Sequence, residues 1–551
     1  MKLAFKFLQQ HKIHVIALAI LVLMSAGLAY HKGQDLNWDL LNYHYYDGYA
    51  FVHDRLSYDL QPAQFQTYDN PLMDVPGYLL IAHLHPAVAS MVIGATQGIN
   101  LWIIFEISLL LLSRIIRKRS QAYVVSFGIA SFSIFGAAFN SELGNTMGDS
   151  LTSILCLSAL FFLMRALDIG TKTKPHKTGA KVSLLLRIAA FILVGLAVGL
   201  KLTNAVYAVS LLAAGMLVRG GWAYKLKQAA IHVGVAGAAM AVSSGFWYWR
   251  LWQMFKNPVF PFYNGIFHSP YYAPVDFHDD RWFPPTLLGK IFYPFTFAHT
   301  QSVAADVPFR DPRFAVLFIV LAIGVITYLV LRFGFKRDHL LSSVHRAEWA
   351  LWIFLGVSYV VWEKEFGYYR YIVAIELLTL LAIALLVCRL IKNIYTAGIV
   401  MLAIFIAITV RTIPMDWGRI PWQSYYFGPN LREQLQSAKG TVLTAGQDPS
   451  GFMVPYLPKG TNVIRIQGNL TYPPLGGTES EERLISESVA KNRSQGRRFY
   501  AIESSNLMDQ QQAALYKFGF TTGRCVPIST YAGQYLFFGT LHYSLCDLDA
   551  Q

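Results

Sequence analysis

Hydrophobic residues run in long unbroken stretches along most of this chain. Eleven stretches predict membrane-spanning helices: 13–30, 96–113, 122–139, 150–167, 183–199, 203–218, 229–249, 312–332, 348–362, 371–388 and 394–411. About 20 apolar residues cross the hydrocarbon core of a bilayer. The run Ile13 to Tyr30 follows Lys2, Lys6 and Lys12 as a signal peptide would, but no small-x-small cleavage site follows it, so it is read as an uncleaved first helix. After Arg411 the pattern changes. Short apolar runs at Thr441–Ala445, Asn462–Ile466, Phe499–Ile502 and Tyr535–His542 alternate in part with helical patterns at 479–492 and 508–518. Such alternation predicts a small α/β domain. The expected architecture is an α-helical polytopic membrane domain over 1–411, with about eleven transmembrane helices, and a small extracytoplasmic α/β domain over 412–551.

Composition agrees with the pattern. The chain is 54% hydrophobic and 14% charged, which leaves too little charge to cover the surface of a soluble protein of this length. The net charge of +14 is not a nucleic-acid signal, because Lys and Arg sit in short clusters between apolar runs. Lys2, Lys6 and Lys12 precede the first span, and Arg114 to Arg119 follow the second; further clusters fall in 165–187, 219–227, 332–346 and 389–392. The opposite short connections hold only Lys201, Lys364 and Arg370. By the positive-inside rule the N-terminus is cytoplasmic and the C-terminal domain periplasmic, in a bacterial inner membrane.

Two outside loops, 31–95 and 250–311, are too long to be mere connections, and both are rich in Tyr, Trp, Phe and Pro. Long loops in compact architectures are usually functional. Parts of both are expected to lie on the membrane as short amphipathic helices. The apolar stretch Tyr78–Ile93, broken by His83, His85 and Pro86, is read as interfacial or re-entrant, with a twelfth span as the alternative.

The candidate chemistry lies at the outer membrane face. The first loop opens with Asp35-Leu-Asn-Trp-Asp39-Leu-Leu-Asn42-Tyr43-His44-Tyr45-Tyr46-Asp47. Asp35 fits plain solvation, whereas Asp39 is placed to act as a base at the membrane surface. Glu142 and Asp149 face the same compartment, although Asp149 also fits a simple helix cap. Lys201 and Arg370 are cations close to hydrocarbon. They either snorkel or meet a lipid phosphate, and Glu376 is the expected partner of Arg370. His278-Asp279-Asp280 lacks a second ligand at helical spacing, so it is a weak metal signal. Cys156 and Cys388 lie in apolar runs and read as buried thiols. Cys525 and Cys546 would pair in an oxidising compartment. The C-terminal region carries no phosphate loop, metal spacing or nucleophile elbow.

This combination resembles the GT-C superfamily of polyprenyl-phosphate-sugar-dependent glycosyltransferases, and in particular the protein O-mannosyltransferase and aminoarabinose-transferase type. The likeness rests on Asp39 in Trp-Asp-Leu-Leu-Asn-Tyr-His-Tyr-Tyr, Glu142 and Asp149 before the fourth span, Gly-Leu-Ala-Val-Gly-Leu-Lys201, and Arg370-Tyr371 heading a late span. It implies a membrane-bound hexosyl- or pentosyltransferase. The donor would be a sugar on a polyprenyl phosphate, and the acceptor a glycan, lipid or protein of the cell envelope. Asp39 would be the base of an inverting displacement, with Glu142 and Asp149 orienting the acceptor or holding a divalent ion. Lys201, Arg370 and Tyr371 would meet the phosphate, and Asn42, Tyr43 and His44 the substrate; Tyr45 and Tyr46 are further sugar-stacking candidates. The first loop lacks an adjacent Asp-Glu or an Asp-x-Asp pair, which leaves dependence on Mg or Mn open. Two other classes of function fit the same pattern: a lipid-linked sugar transporter or flippase, and a non-catalytic membrane assembly protein.

Overall fold

A computed structural model describes residues 11–169, 177–276, 279–300, 302–334, 344–470, 478–532 and 541–550. The membrane part is helical throughout. Its helices are α1 (Lys12–Lys32), α2 (Tyr45–Val52), α3 (Val75–His83), α4 (Pro86–Gln97), α5 (Ile99–Leu112), α6 (Arg119–Ser133), α7 (Ala137–Glu142), α8 (Asp149–Ile169), α9 (Lys177–Leu200), α10 (Ala205–Gly215), α11 (Trp222–Phe255), α12 (Leu287–Thr296), α13 (Arg313–Leu329), α14 (Arg346–Glu365), α15 (Val373–Leu390) and α16 (Ile394–Arg411). Each of the eleven expected segments overlaps one or two of these helices. Eight helices among the described residues are long and apolar enough to cross a membrane. The segment at 203–218 forms a shorter apolar helix. The one at 348–362 lies in α14, whose ends carry Arg346, Glu348, Glu363, Lys364 and Glu365.

Two helix boundaries differ from expectation. The stretch 78–93 is neither purely interfacial nor re-entrant. It breaks at Leu84-His85, and Pro86 opens a continuous span to Leu112. The His85 side chain accepts from the Ala87 amide, and Pro86 occupies the first turn, a pairing that starts helices. The first outside loop therefore ends near residue 85. The segment at 122–139 is also interrupted. Helix α6 stops at Ser133, and α7 restarts because Glu376 accepts from the amides of Ala138 and Phe139, at 2.8 and 3.0 Å, while Asp311 accepts from Ala137 at 2.9 Å.

The span around α15 is the centre of the bundle, with 89% of its apolar window buried; the window around α13 is 17% buried. The peripheral helices present apolar side chains outward, among them Val242 and Trp249 on α11 and Val410 on α16. That is how a lipid-facing surface is composed. Helix α12, inside the second long loop, exposes Leu287, Leu288, Ile291 and Phe292 and buries Tyr293. It has the amphipathic form expected of a helix lying on a membrane.

Seven strands accompany the helices: β1 (Gln34–Asp35), β2 (Arg419–Ile420), β3 (Thr441–Thr444), β4 (Asn462–Arg465), β5 (Phe499–Ser504), β6 (Phe520–Ile528) and β7 (Tyr543–Ala550). The C-terminal sheet has the order β4-β3-β5-β7-β6, with β3 parallel to β4 and β5, and β7 antiparallel to β5 and β6. Helices at Glu479–Ser494 and Met508–Lys517 accompany it. Strands β3, β4 and β5 fall where the apolar runs predict them. The expected strand at 535–542 lies mostly outside the described residues, and β7 begins at Tyr543. Strand β6 escapes sequence reading because it is polar, contains Gly523 and Pro527, and is largely exposed at the sheet edge. A disulfide joins Cys525 to Cys546 across β6 and β7, while Cys156 and Cys388 are buried free thiols.

The first outside loop seals the other edge of this sheet. The amide of Leu60 donates to Val463 O, and the amide of Arg465 donates to Leu60 O, at 2.9 and 3.0 Å. The buried Arg465 guanidinium donates to the carbonyls of Gly446 and Pro62 and to Ser450 Oγ. Strands β1 and β2 pair Gln34 with Ile420 and Asp35 with Arg419. Through these contacts the C-terminal domain fixes the loop that carries Asp39.

Candidate active site

Asp39 stands at the start of a wide π-type turn, Leu40–His44, that runs straight into α2. In such a turn hydrogen bonds reach five residues along the chain, so Asp39, Tyr43 and His44 share one side. Asp39 lies within electrostatic reach of both. π-turns are frequent at functional sites. The helical form of this segment is invisible in the sequence, where it reads as loop.

Four charged side chains from separate segments meet here. Arg370 Nη1 donates to Asp39 Oδ2 at 2.7 Å. Its Nε lies 2.9 Å from Asp149 Oδ2. Lys201 Nζ lies 2.6 Å from Asp149 Oδ1 and donates to the Met147 carbonyl at 2.9 Å. The order is thus Asp39–Arg370–Asp149–Lys201. The Arg370 guanidinium also lies over the rings of Tyr368, Tyr371 and Trp417, at 5.5, 5.5 and 5.6 Å from their centres, and Lys201 over Tyr371 at 5.5 Å. Cations hold this position against aromatic faces well when desolvated. Burial works to raise the Asp39 carboxyl, but Arg370, His44 and Lys201 outweigh it and hold the group below its usual value. Its side chain remains 16% exposed.

The loop between α7 and α8 delivers Glu142 and Asp149. Gly144 and Gly148 adopt φ of +75° and +85°, and a Cβ at either would collide, with Ser90 and with Met73 respectively. Glu142 is fully buried, and its Oε2 accepts from the Ser150 amide at 2.8 Å. Glu142, not Asp149, therefore caps α8, which frees Asp149 for the two cations. Burial, reinforced by the neighbouring Asp149, pushes the Glu142 carboxyl up to about 8. Gln97, at the junction of α4 and α5, braces the loop: its amide donates to Glu142 O and Ser150 Oγ, and its oxygen accepts from the Gly144 amide.

Several sequence expectations are corrected. Glu376 is not the partner of Arg370; it seats α7, beside Arg313 and Asp311. Asp35 is not a solvated acid. It is fully buried and accepts from the Asn37 backbone and side chain, which fold back onto it. The Asn42 amide is engaged with Ala63, Gln64 and Gln66, where it closes the loop. Tyr45 packs on Tyr78 and Phe427, and Tyr46 donates to Asp59, so both are core residues and not sugar platforms. Of the weak metal signal, His278 lies outside the described residues, and Asp279 is bound to Arg281. Sequence reasoning passed over Gln97, Asp69, Asp74 and Trp417. The Gln97-Gly-Ile-Asn100 interruption of an apolar run was the one signal available for Gln97.

An apolar cleft of about 280 Å³ adjoins the site, walled by Ile81 of α3, Ile93 of α4, Leu155 of α8 and Leu200 of α9. His44, Asp74 and Thr146 supply polar atoms to its wall. His44 Nδ1 lies 2.6 Å from Asp74 Oδ1, with both side chains almost wholly buried. Asp69, driven mainly by burial and then by Asp74, is pushed up to about 7.

The residues do not fit a divalent cation. Asp39, Glu142 and Asp149 do not bring their oxygens within common reach of one ion. Among the described residues the one cluster that does is Glu503 with Cys525 and Cys546, and its cysteines form the disulfide. Arg370 and Lys201 already balance Asp39 and Asp149.

No protein-family model matches the chain, and no curated protein matches it. Among solved structures it is similar to ArnT from Cupriavidus metallidurans bound to undecaprenyl phosphate, over 98% of both chains, with a TM-score of 0.49 and 10% identity. It is similar to the apo state of that protein at a TM-score of 0.48 and 12% identity, again over 98% of both chains. It is also similar to the apo oligosaccharyltransferase of Archaeoglobus fulgidus, over 92% of this chain and 71% of that one, at a TM-score of 0.48 and 12% identity.

Proposed function

We propose that this chain is an integral-membrane glycosyltransferase. It moves a sugar from a polyprenyl-phosphate donor to a cell-envelope acceptor at the outer face of the inner membrane, with its N-terminus cytoplasmic and its C-terminal domain periplasmic. One observation carries the reading. Asp39, Asp149, Lys201 and Arg370, far apart in sequence, form one chain of ion pairs beside an apolar cleft between spanning helices. A donor with an isoprenoid tail and an ionic head needs that combination.

In the proposed reaction an acceptor hydroxyl or amine attacks the anomeric carbon opposite the phosphate. A bond forms from acceptor to sugar, the sugar–phosphate bond breaks, and configuration inverts. The acceptor's proton passes to Asp39. This carboxyl stays ionised because of Arg370 and spends only Oδ2 on it. Negative charge gathers on the departing phosphate. Lys201 has three N–H donors, of which Met147 and Asp149 take two. The phosphate competes with Asp149 for Lys201 and Arg370, and fixed cations in a dry site stabilise such charge strongly. Glu142 supports Asp149 by capping its helix.

The test is donor consumption by purified protein supplied with several polyprenyl-phosphate sugars, wild type against Asp39→Asn. A base in reach is worth about 10²–10⁴-fold, and a loss of that order is expected. Equal consumption by both proteins would defeat the assignment. Movement of the labelled lipid across a bilayer without sugar transfer would instead establish a transporter.

A further inference from the structure

The C-terminal sheet carries reactive groups that the proposed sugar transfer does not use. Cys525 and Cys546 pair across β6 and β7, and Glu503 stands on the next strand, β5. The two ends of the bridge differ. Strand β6 is the sheet edge and Cys525 lies exposed on it, whereas Cys546 on β7 is 0% exposed. A thiolate arriving from solvent therefore meets the Cys525 sulfur first. Cys546 sits in an apolar cluster with Leu443, Phe499 and Ala501, surroundings that disfavour a free thiolate. Glu503 reaches into the same place. It is 4% exposed, its Oε2 lies 3.7 Å from Cys546 Sγ, and its Oε1 has no hydrogen-bond partner. A carboxylate oxygen of Glu503 and the two sulfurs all lie within 4.8 Å of one another. A bridged sulfur carries no proton, so a hydrogen bond between Glu503 and Cys546 has to be donated by the carboxyl. Burial raises that carboxyl above its ordinary value, and no cation opposes the effect.

We infer that this bridge is a thiol–disulfide exchange site, entered at Cys525 by a dithiol reductant, with Glu503 giving its proton to Cys546 as the bridge opens. The inference stands apart from the sugar transfer. In the first step a thiolate of the reductant attacks Cys525 Sγ. A mixed disulfide forms there and the Cys525–Cys546 bond breaks. Its electron pair goes to Cys546 Sγ, which takes the proton of Glu503; water later restores that proton. In the second step the other thiol of the reductant, as its thiolate, displaces Cys525. The reductant leaves as a disulfide, oxidised by two electrons, and the protein is left with two reduced cysteines. Exchange is faster when the leaving sulfur is a better leaving group, and a proton delivered to Cys546 makes it one. Without Glu503 the buried sulfur would have to leave as an unsupported anion.

The test uses the folded full-length protein in detergent. Reduced glutathione, followed by an acid quench and mass spectrometry, should place the mixed disulfide on Cys525 and leave Cys546 as the free thiol. With dithiothreitol, Glu503→Gln should open the bridge at least about tenfold more slowly than wild type, as for loss of a proton donor. At matched thiolate concentration the wild-type rate should be lower in deuterium oxide, and the variant should lose that difference, which a merely structural role of Glu503 would not produce. Two further variants give a reading that does not need the Glu503 protein to fold. With oxidised glutathione, Cys546→Ser, which keeps the exposed thiol, should form the mixed disulfide readily; Cys525→Ser, which keeps the buried one, should not. The inference is overturned if glutathione is found on Cys546, if the two serine variants react alike, or if the bridge opens only in denaturant. It is overturned equally if Glu503→Gln opens at the wild-type rate or if the wild-type rate is the same in both waters.

Discussion

The guanidinium of Arg370 donates to the carboxylate of Asp39 across 2.7 Å, joining residues 331 positions apart in the chain. The contact ties the first outside loop to the head of the most buried helix of the bundle. It also sets the charge of the proposed base, and Arg370 Nε lies 2.9 Å from Asp149 Oδ2.

Because one planar group spans two carboxylates, Arg370→Lys should not be a mild change. An ammonium is a point charge and cannot keep both contacts in that geometry. We expect donor consumption to fall at least about tenfold, as for loss of a charge-assisted hydrogen bond. Arg370→Ala should also destabilise the fold by about 3–5 kcal/mol, because the Asp39 carboxylate loses its partner and Asp149 keeps only Lys201. Thermal unfolding in detergent, alongside the activity assay, measures both.

Glu142 should make stability depend on pH. Its folded value, about 8, lies above the ordinary 4.5, so folding favours its protonated form. That contribution is full below about pH 4.5 and is lost as pH rises towards 8. Glu142→Gln keeps an oxygen for the Ser150 amide and cannot ionise. The variant should therefore unfold at a higher temperature than wild type at pH 8, with the difference shrinking at pH 5. A variant less stable at pH 8 than at pH 5 by the wild-type margin would contradict this.

The charged seat of α7 should matter as much as the site it positions. Glu376→Ala strips the acceptor from two buried amides, and each unsatisfied group costs about 1–3 kcal/mol. Since α7 leads directly into Glu142 and Asp149, activity should fall together with unfolding temperature. Glu376→Gln retains one acceptor oxygen and should lose less of both.

The thiols report redox state and compartment. In the folded protein a maleimide should label no cysteine without reductant, since Cys156 and Cys388 are buried and Cys525 is joined to Cys546. After mild reduction the exposed Cys525 should become reactive, while Cys546 stays buried. The bridge closes a 21-residue separation, worth about 3 kcal/mol by loop entropy, so reduction should also lower the unfolding temperature of the C-terminal domain. Labelling of Cys525 before reduction would argue against the pairing.

The sequence by itself determined the membrane class, the positions of the spanning helices and the first three strands of the C-terminal sheet. Hydrophobic runs and alternations are local, and each records the environment of its own segment. It also marked Asp39, Asp149, Lys201 and Arg370, because charge is conspicuous where hydrocarbon surrounds it. Which charge meets which was decided only by tertiary structure. Glu376 is close to Arg370 in sequence yet serves α7. Asp35 looks like a loop acid yet is buried, and Glu142 takes the capping role that Asp149 also fits in sequence. Pairing energies depend on distances of a few ångströms between side chains hundreds of residues apart, and no local pattern encodes those. The same reason hid the His44–Asp74 contact: a histidine and an aspartate 30 residues apart carry no joint signal until the chain has folded back on itself.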